Sequence, residues 1–175
     1  MTRKNIHALI LMLLLPLHLS LFSNRCQCQT IKIKTDEHVG HGFKTTEGTI
    51  TAMHVGGISY DYSLKDMDIV IDSRSRSPSA YKVSDNPPAY FIDRRGIRHR
   101  LRKTGSMGSK TTVSIEFYPG ESGMPVFSAD GSVACVVIGN VHIGGRWFGL
   151  ISRVTPIVDF ANKSRKRNRI IEIKM

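Results

Sequence analysis

From residue 30 onward the chain alternates short apolar runs with breaks of glycine, aspartate, serine and proline. Few stretches repeat apolar residues at helical spacing, so the pattern is typical of an all-β protein. Turns are predicted at Thr46–Gly48, Arg95–Gly96 and Ala129–Gly131, and one short helix at Pro156–Lys163. The apolar runs predict eleven strands: Ile31–Lys34, Gly42–Lys44, Thr49–Ala52, Asp68–Ile71, Tyr81–Val83, Tyr90–Asp93, Arg98–Lys103, Thr112–Phe117, Val126–Ser128, Ser132–Ile138 and Phe148–Ser152.

A stretch rich in serine, proline and arginine, residues 73–88, interrupts the strands near the middle of the chain. Its composition predicts a loop between two halves, and many short strands around such a seam favour two small β-barrels. We therefore expect a folded unit over residues 30–162, with a first barrel at about 30–85 and a second at about 89–162. A basic tail is expected at 163–175.

The first 29 residues differ in kind from the rest of the chain. Arg3 and Lys4 precede a leucine-rich apolar run over residues 6–22. A basic flank before such a run predicts a secretory signal or a membrane anchor, although the run is short for a bilayer-spanning helix and contains Pro16. The alternative is a buried core helix. We leave residues 1–29 out of the predicted fold.

The charge balance is strongly basic, with 25 Lys and Arg against 14 Asp and Glu and a net charge of +11. Such a charge favours attraction to nucleic acid, anionic lipid or acidic partners. Two clusters concentrate it, residues 94–103 and residues 163–169. No Phe, Tyr or Trp lies within either cluster, so base stacking and sequence-specific reading are not expected. The clusters predict non-specific contact with RNA or anionic lipid, or a solvated surface, and the second is also a candidate dibasic cleavage region.

Ser122 lies in the sequence Gly-Glu-Ser-Gly, where the flanking glycines let backbone N–H groups approach whatever the hydroxyl attacks. Serine is a weak nucleophile at neutral pH and needs a base that a third group orients. His54 follows the candidate strand Thr49–Ala52, and Asp66 and Asp68 lie at the mouth of the next apolar strand. The sequence therefore predicts a Ser-His-Asp site with two candidates for the acid. No residues have metal-ligand spacing, so no metal or cofactor is expected.

Four segments carry a resemblance to a known family: GHGF at 40–43, GTITAMHV at 48–55, DIVI at 68–71, and PGESGMPVFSADGSVACVVIGN at 119–140. Together they resemble the chymotrypsin-like serine proteases, in the order His, Asp, Ser. The chain is most similar to viral members, such as the alphavirus capsid protease and the arterivirus and flavivirus proteases. The resemblance implies a serine endopeptidase that acts on polypeptide substrates and processes a viral polyprotein. The apolar run at residues 6–22 predicts a host membrane or secretory route.

The resemblance also implies roles for individual residues. His54 would be the general base and then the acid, Ser122 the nucleophile, and the backbone N–H groups of Gly120 and Ser122 the oxyanion hole. The trypsin-like pattern favours Asp68 as the orienting acid, whereas the capsid-protease pattern aligns Asp66; we predict Asp68. Glu121 replaces an aspartate that pairs with a newly cut N-terminus in zymogen-derived members, which implies that no such activation is needed.

The family's substrate pocket lies between the segment before the serine and the strand after it. The resemblance places its walls at Glu116–Pro119 and Val137–Asn140, so that Gly139 and Asn140 line it. By count, Glu116 occupies the floor position that sets charge preference; the alternative is a solvent-facing residue. A second function from another class stays open: a basic capsid-like or RNA-binding structural protein on the same fold, which cuts once or not at all.

Overall fold

The computed structural model describes residues 29–173 with the exception of Glu37. The apolar run at 6–22 lies outside these residues, so its interpretation as a signal or anchor stays a prediction. Within the described part of the chain, no helix combines the length and the apolar character needed to cross a membrane.

Two antiparallel sheets make up most of the structure. The first has the order β1-β2-β3-β5-β4, with β1 Thr30–Lys34, β2 Val39–Thr45, β3 Gly48–Ala52, β4 Tyr62–Leu64 and β5 Ile69–Asp72. The second has the order β7-β6-β10-β11-β12-β9-β8, with β6 Pro88–Ile92, β7 Arg98–Arg100, β8 Lys103–Met107, β9 Lys110–Val113, β10 Pro125–Ser128, β11 Val133–Ile143 and β12 Arg146–Arg153. One helix, α1 Thr155–Ile173, follows. The prediction of a mostly β chain with two halves is confirmed.

The centre of the first sheet is formed by its two most buried strands. Every residue of β3 is buried, and so are the first three residues of β5. The two strands pair antiparallel, with Ala52 opposite Ile69 and Ile50 opposite Ile71. This register brings the residues just after β3 next to the residue just before β5, which are the positions of His54 and Asp68.

Helix α1 joins the two halves of the molecule. Ile157, Val158 and Ala161 are buried on one of its faces, in the spacing of an amphipathic helix, and the helix packs on β4 and β5. Their core cluster also includes Phe127 and Val133 of the second sheet. The apolar contacts across the junction hold the two sheets in one position relative to each other.

The structure differs from the sequence-based expectation at five places. The predicted strand Thr112–Phe117 ends at Val113, the last residue of β9. The predicted strand at 81–83 forms only two isolated bridges, and the predicted strand Arg98–Lys103 divides between β7 and β8, which pair with different neighbours. The short strand β4 was not predicted. The basic segment 163–169 is not a tail, because α1 continues to Ile173; the segment contains no glycine or proline and is rich in lysine and arginine, which favour helix.

Candidate active site

His54 and Asp68 form a hydrogen-bonded pair at the edge of the first sheet. The His54 Nδ1 atom lies 2.6 Å from Asp68 Oδ2, and the backbone N–H of His54 donates to Asp68 Oδ1 at 3.1 Å. A carboxylate only accepts hydrogen bonds, so Nδ1 must carry the proton and Nε2 is left as the basic nitrogen. The His54 side chain is 45% exposed while that of Asp68 is 18% exposed, so the ring is accessible and its orienting acid is sheltered.

The local backbone explains why the carboxylate of Asp68 reaches His54. A short 3-10 helix, Lys65–Met67, precedes it, and Asp68 adopts the left-handed conformation with φ 54°. Asp68 is the one residue other than glycine in the described part of the chain with positive φ, and aspartate tolerates this region better than most residues. The Met53 N–H also donates to the Asp68 carbonyl at 3.0 Å. Asp66 is exposed, and its backbone carbonyl accepts from Ser109 and Lys110.

Ser122 lies in the loop between β9 and β10, which we call the serine loop, residues 119–123. Its Oγ donates to the Ile138 carbonyl at 3.0 Å, and its own carbonyl accepts the His41 N–H at 2.8 Å. The serine is therefore bonded to β11 of the second sheet and to β2 of the first. Among the backbone hydrogen bonds outside the strands and helices of the described residues, none uses the N–H of Gly120 or of Ser122 as donor.

Two glycines let the serine loop approach the first sheet. A Cβ on Gly40 would lie 2.6 Å from the Val55 side chain and 3.0 Å from the Ser122 carbonyl. Val55, the residue after His54, and Ser122 therefore both pack against the Cα of Gly40, where no side chain intervenes. Gly123 has φ +84°, and a Cβ there would lie 1.6 Å from the His41 carbonyl. The absence of two side chains thus allows the His54 loop and the serine loop to meet.

Glu121 anchors the serine loop from inside the protein. It is 1% exposed, and its Oε2 accepts the Tyr118 N–H at 2.8 Å. The Arg94 Nε lies 4.0 Å from Oε1, on a side chain that is 52% exposed. A buried carboxylate needs a hydrogen bond and a counterion, and these two residues supply them. Arg94, on the turn after β6, therefore holds the residue before the serine from the second sheet.

His41 holds the same loop from the first sheet. Its Nδ1 lies 2.8 Å from the Gly120 carbonyl, which only accepts, so Nδ1 donates. Burial lowers the pKa of His41; the hydrogen bond to Gly120 opposes this, and the nearby cations Arg94 and Lys32 lower the pKa further. The ring is therefore a neutral donor at pH 7. A cavity of about 460 Å³ lies beside it, at the junction of the two sheets.

The predicted pocket walls are adjacent in the structure. Phe117 is buried, whereas Glu116 is exposed, and the Asn140 amide bonds to the Phe117 backbone at 2.8 and 2.7 Å. Gly139 has φ +156° and lies between Ile138 and Asn140. The assignment of Glu116 as the pocket floor stays a prediction.

Neither a reactive thiol nor a metal-binding cluster is found among the described residues. Burial raises the pKa of Cys135 to about 12, so its thiol stays protonated at neutral pH. Within residues 29–173, no group of three or more His, Cys, Asp or Glu side chains has a geometry that could hold a metal ion.

Solved structures similar to this chain are serine proteases. The serine protease of a human pathogenic astrovirus superposes with a TM-score of 0.54 at 19% identity, over 72% of this chain and 89% of that one. The Rv3671c protease of M. tuberculosis superposes with a TM-score of 0.52 at 17% identity, over 74% of this chain and 85% of that one. The chain has the fold of these proteases. No protein-family model and no curated protein sequence matches it.

Two residues of this site were not recognised as functional from the sequence. His41 was noted only as part of the GHGF segment and Arg94 only as part of a basic cluster. Asn140 was predicted as a pocket wall, but its hydrogen bonds to Phe117 were not. His41 contacts Gly120, which is 79 positions away in the sequence, and Asn140 contacts Phe117, which is 23 positions away. No local sequence pattern therefore indicates these contacts. The Gly-Glu-Ser-Gly loop itself was the available signal, because a buried acid beside a nucleophile needs a partner.

Proposed function

We propose that the protein is a serine endopeptidase with Ser122 as nucleophile, His54 as general base and Asp68 as orienting acid. The observation that carries the proposal is the His54–Asp68 pair, with Nδ1 at 2.6 Å from Oδ2 and the backbone N–H on the other carboxylate oxygen. This geometry fixes the tautomer and leaves Nε2 to accept a proton. The fold that the chain shares with two serine proteases supports the same reaction.

The reaction begins when the Ser122 hydroxyl turns from the Ile138 carbonyl toward His54 Nε2. Nε2 takes the proton as Oγ attacks the substrate carbonyl, and the oxyanion forms near the N–H groups of Gly120 and Ser122. The imidazolium, stabilised by Asp68, returns the proton to the leaving amine, and an acyl-enzyme remains. Water then attacks the ester with His54 again as base, which releases the acid and restores the serine. One water is consumed for each peptide bond cleaved.

The biological substrate that we propose is a viral polyprotein. The sequence resemblance to viral proteases supports this. Residues 6–22 would place the enzyme at a host membrane. The cationic segment 163–169 is a candidate for self-cleavage.

Cleavage of a denatured protein such as casein by the purified full-length chain tests the proposed activity. The wild type should release peptides that appear in a mass spectrum, and Ser122→Ala should release none. The matched control is Ser106→Ala, which changes an exposed serine on β8 and should cleave as the wild type does. Equal cleavage by Ser122→Ala and the wild type would refute the assignment of the nucleophile.

A specific observation favours a second candidate, a basic structural or RNA-binding protein on the same fold. Six cationic side chains are exposed along and beside β7, namely Arg94, Arg95, Arg98, Arg100, Arg102 and Lys103, and α1 exposes Lys163, Lys166 and Arg167. Such surfaces bind phosphates through counterion release, so RNA retention should fall steeply with salt and ignore sequence. Salt-sensitive RNA binding by an inert Ser122 would favour this candidate, whereas catalysis without RNA binding would exclude it.

A further inference from the structure

Asn140 joins the two segments between which a substrate side chain would enter. The Phe117 N–H donates to Asn140 Oδ1 at 2.8 Å, and Asn140 Nδ2 donates to the Phe117 carbonyl at 2.7 Å. The Asn140 side chain on β11 thus satisfies both the backbone N–H and the backbone carbonyl of Phe117. The Asn140 amide thus links β11 to the segment that precedes the serine loop, and we call this pair of hydrogen bonds the crosslink.

The space behind this crosslink is filled. Phe117 is 2% exposed, and its ring packs edge-on against Phe91 with centroids 5.0 Å apart. The ring lies so close to Gly149 on β12 that a Cβ there would be 2.5 Å from Phe117 Cε2. The Phe117 ring therefore occupies the space that a side chain at Gly149 would fill. The gap between β11 and residues 116–119 is closed by this ring at its inner end.

The crosslink lies next to the nucleophile. Ser122 Oγ is 3.0 Å from the carbonyl of Ile138, two residues before Asn140 on the same strand. The pocket position that the resemblance implies places the side chain of the residue whose carbonyl Ser122 attacks, here called the acyl residue, in the gap between β11 and residues 116–119. Glu116 is exposed, whereas the neighbouring Phe117 is buried.

We propose that Asn140 is a specificity-determining residue that restricts the acyl residue to small side chains such as glycine, alanine or serine. The inference rests on the proposed peptidase function. A larger side chain enters only if both Asn140 hydrogen bonds break, which leaves the Phe117 N–H and carbonyl without partners next to a buried ring. Such a site discriminates between substrate side chains by their size and by the free-energy cost of leaving the Phe117 N–H and carbonyl unpaired. A difference of about a hundredfold in reaction rate between alanine and phenylalanine is expected.

Peptidyl diphenyl phosphonates test this without a known substrate, because they trap a reactive serine and differ only in the acyl residue. The full-length wild type should be inactivated by the alanine reagent about a hundredfold faster than by the phenylalanine or lysine reagents. Asn140→Gly should react much faster with the phenylalanine reagent than the wild type does, so that the ratio of its alanine rate to its phenylalanine rate falls. Asn162→Ala, on helix α1 away from the gap, is the matched control and should keep the wild-type preference.

The outcomes separate the inference from the function on which it rests. A wild type that reacts faster with the phenylalanine or lysine reagent overturns the inference and leaves the peptidase function standing. This result needs no variant, so it holds even if Asn140→Gly does not fold. A folded Asn140→Gly that keeps the wild-type preference also overturns it. A wild type as unreactive as Ser122→Ala toward every reagent overturns the function and the inference together.

Discussion

Replacing Asp68 with asparagine separates the orientation of His54 from every other property of the site. Asparagine has the shape of aspartate and also tolerates the left-handed backbone that residue 68 adopts at φ 54°. The backbone N–H of His54 needs an acceptor at 3.1 Å, so the amide oxygen takes that place. The amide NH₂ then faces Nδ1, which must become the acceptor, and the ring proton moves to Nε2. The base that Ser122 requires is lost.

The magnitude follows from that change of tautomer. A base held in the wrong tautomer in a Ser-His-Asp site costs about four orders of magnitude in turnover, which corresponds to about 5 kcal/mol of activation free energy. The free energy of unfolding should change by less than about 1 kcal/mol, because the amide keeps the hydrogen bond to the His54 N–H. Asp68→Asn is thus expected to be folded but nearly inactive.

The assay compares casein cleavage rates with thermal unfolding followed by circular dichroism, for the wild type and two variants. Asp66→Asn is the matched control. Among the described residues His54 bonds to Asp68 and not to the Asp66 carboxylate, so the cleavage rate of this variant should stay within about threefold of the wild type. An Asp68→Asn protein with more than a tenth of wild-type activity would refute this reasoning. Loss of activity in Asp66→Asn instead would identify Asp66 as the acid.

Three further substitutions test the support of the site. Gly123→Ala places a Cβ at 1.6 Å from the His41 carbonyl and should abolish cooperative unfolding by circular dichroism; an unchanged transition would contradict the close approach. Arg94→Ala leaves Glu121 without its counterion and should cost about 1 kcal/mol in urea unfolding, with partial recovery in Arg94→Lys; no loss would show that the pair at 4.0 Å is inert. Burial opposes ionisation of Asp93, but hydrogen bonds from His99, Ile97 and Arg95 outweigh it and hold its pKa below the usual range. Its contribution to stability is therefore present above the unfolded value of about 3.9 and lost as pH falls below it, so Asp93→Asn should flatten the acid limb of a stability-against-pH curve; an unaltered limb would contradict this.

The sequence predicted the fold class well where local pattern and tertiary structure agree. The runs at 49–52 and 68–71 are β-branched and apolar, and they become the paired central strands β3 and β5. The strand β4 was missed because Tyr62–Leu64 is a three-residue strand without an apolar run and pairs only at the sheet edge. The helix was predicted too short because its charged second half was interpreted as a solvated tail.

The candidate site was predictable where residue order carries the chemistry, and less so where support comes from distant segments. The order of His54, Asp68 and Ser122 could be recognised, and the structure brings His54 to Asp68 and not to Asp66. The partners of the serine loop depend on how the two sheets meet. His41 contacts Gly120 only because two glycines allow the sheets to approach, and no local periodicity encodes that contact.

The most direct test of the proposed catalysis is mass spectrometry of the full-length chain after reaction with a fluorophosphonate. This reagent forms a stable phosphorus–oxygen bond only with a serine that a nearby base activates. If His54 activates Ser122, we expect one adduct, on the peptide that contains Ser122, and no adduct in His54→Ala. An adduct on another residue, or equal labelling of Ser122 in the wild type and in His54→Ala, would contradict the central claim.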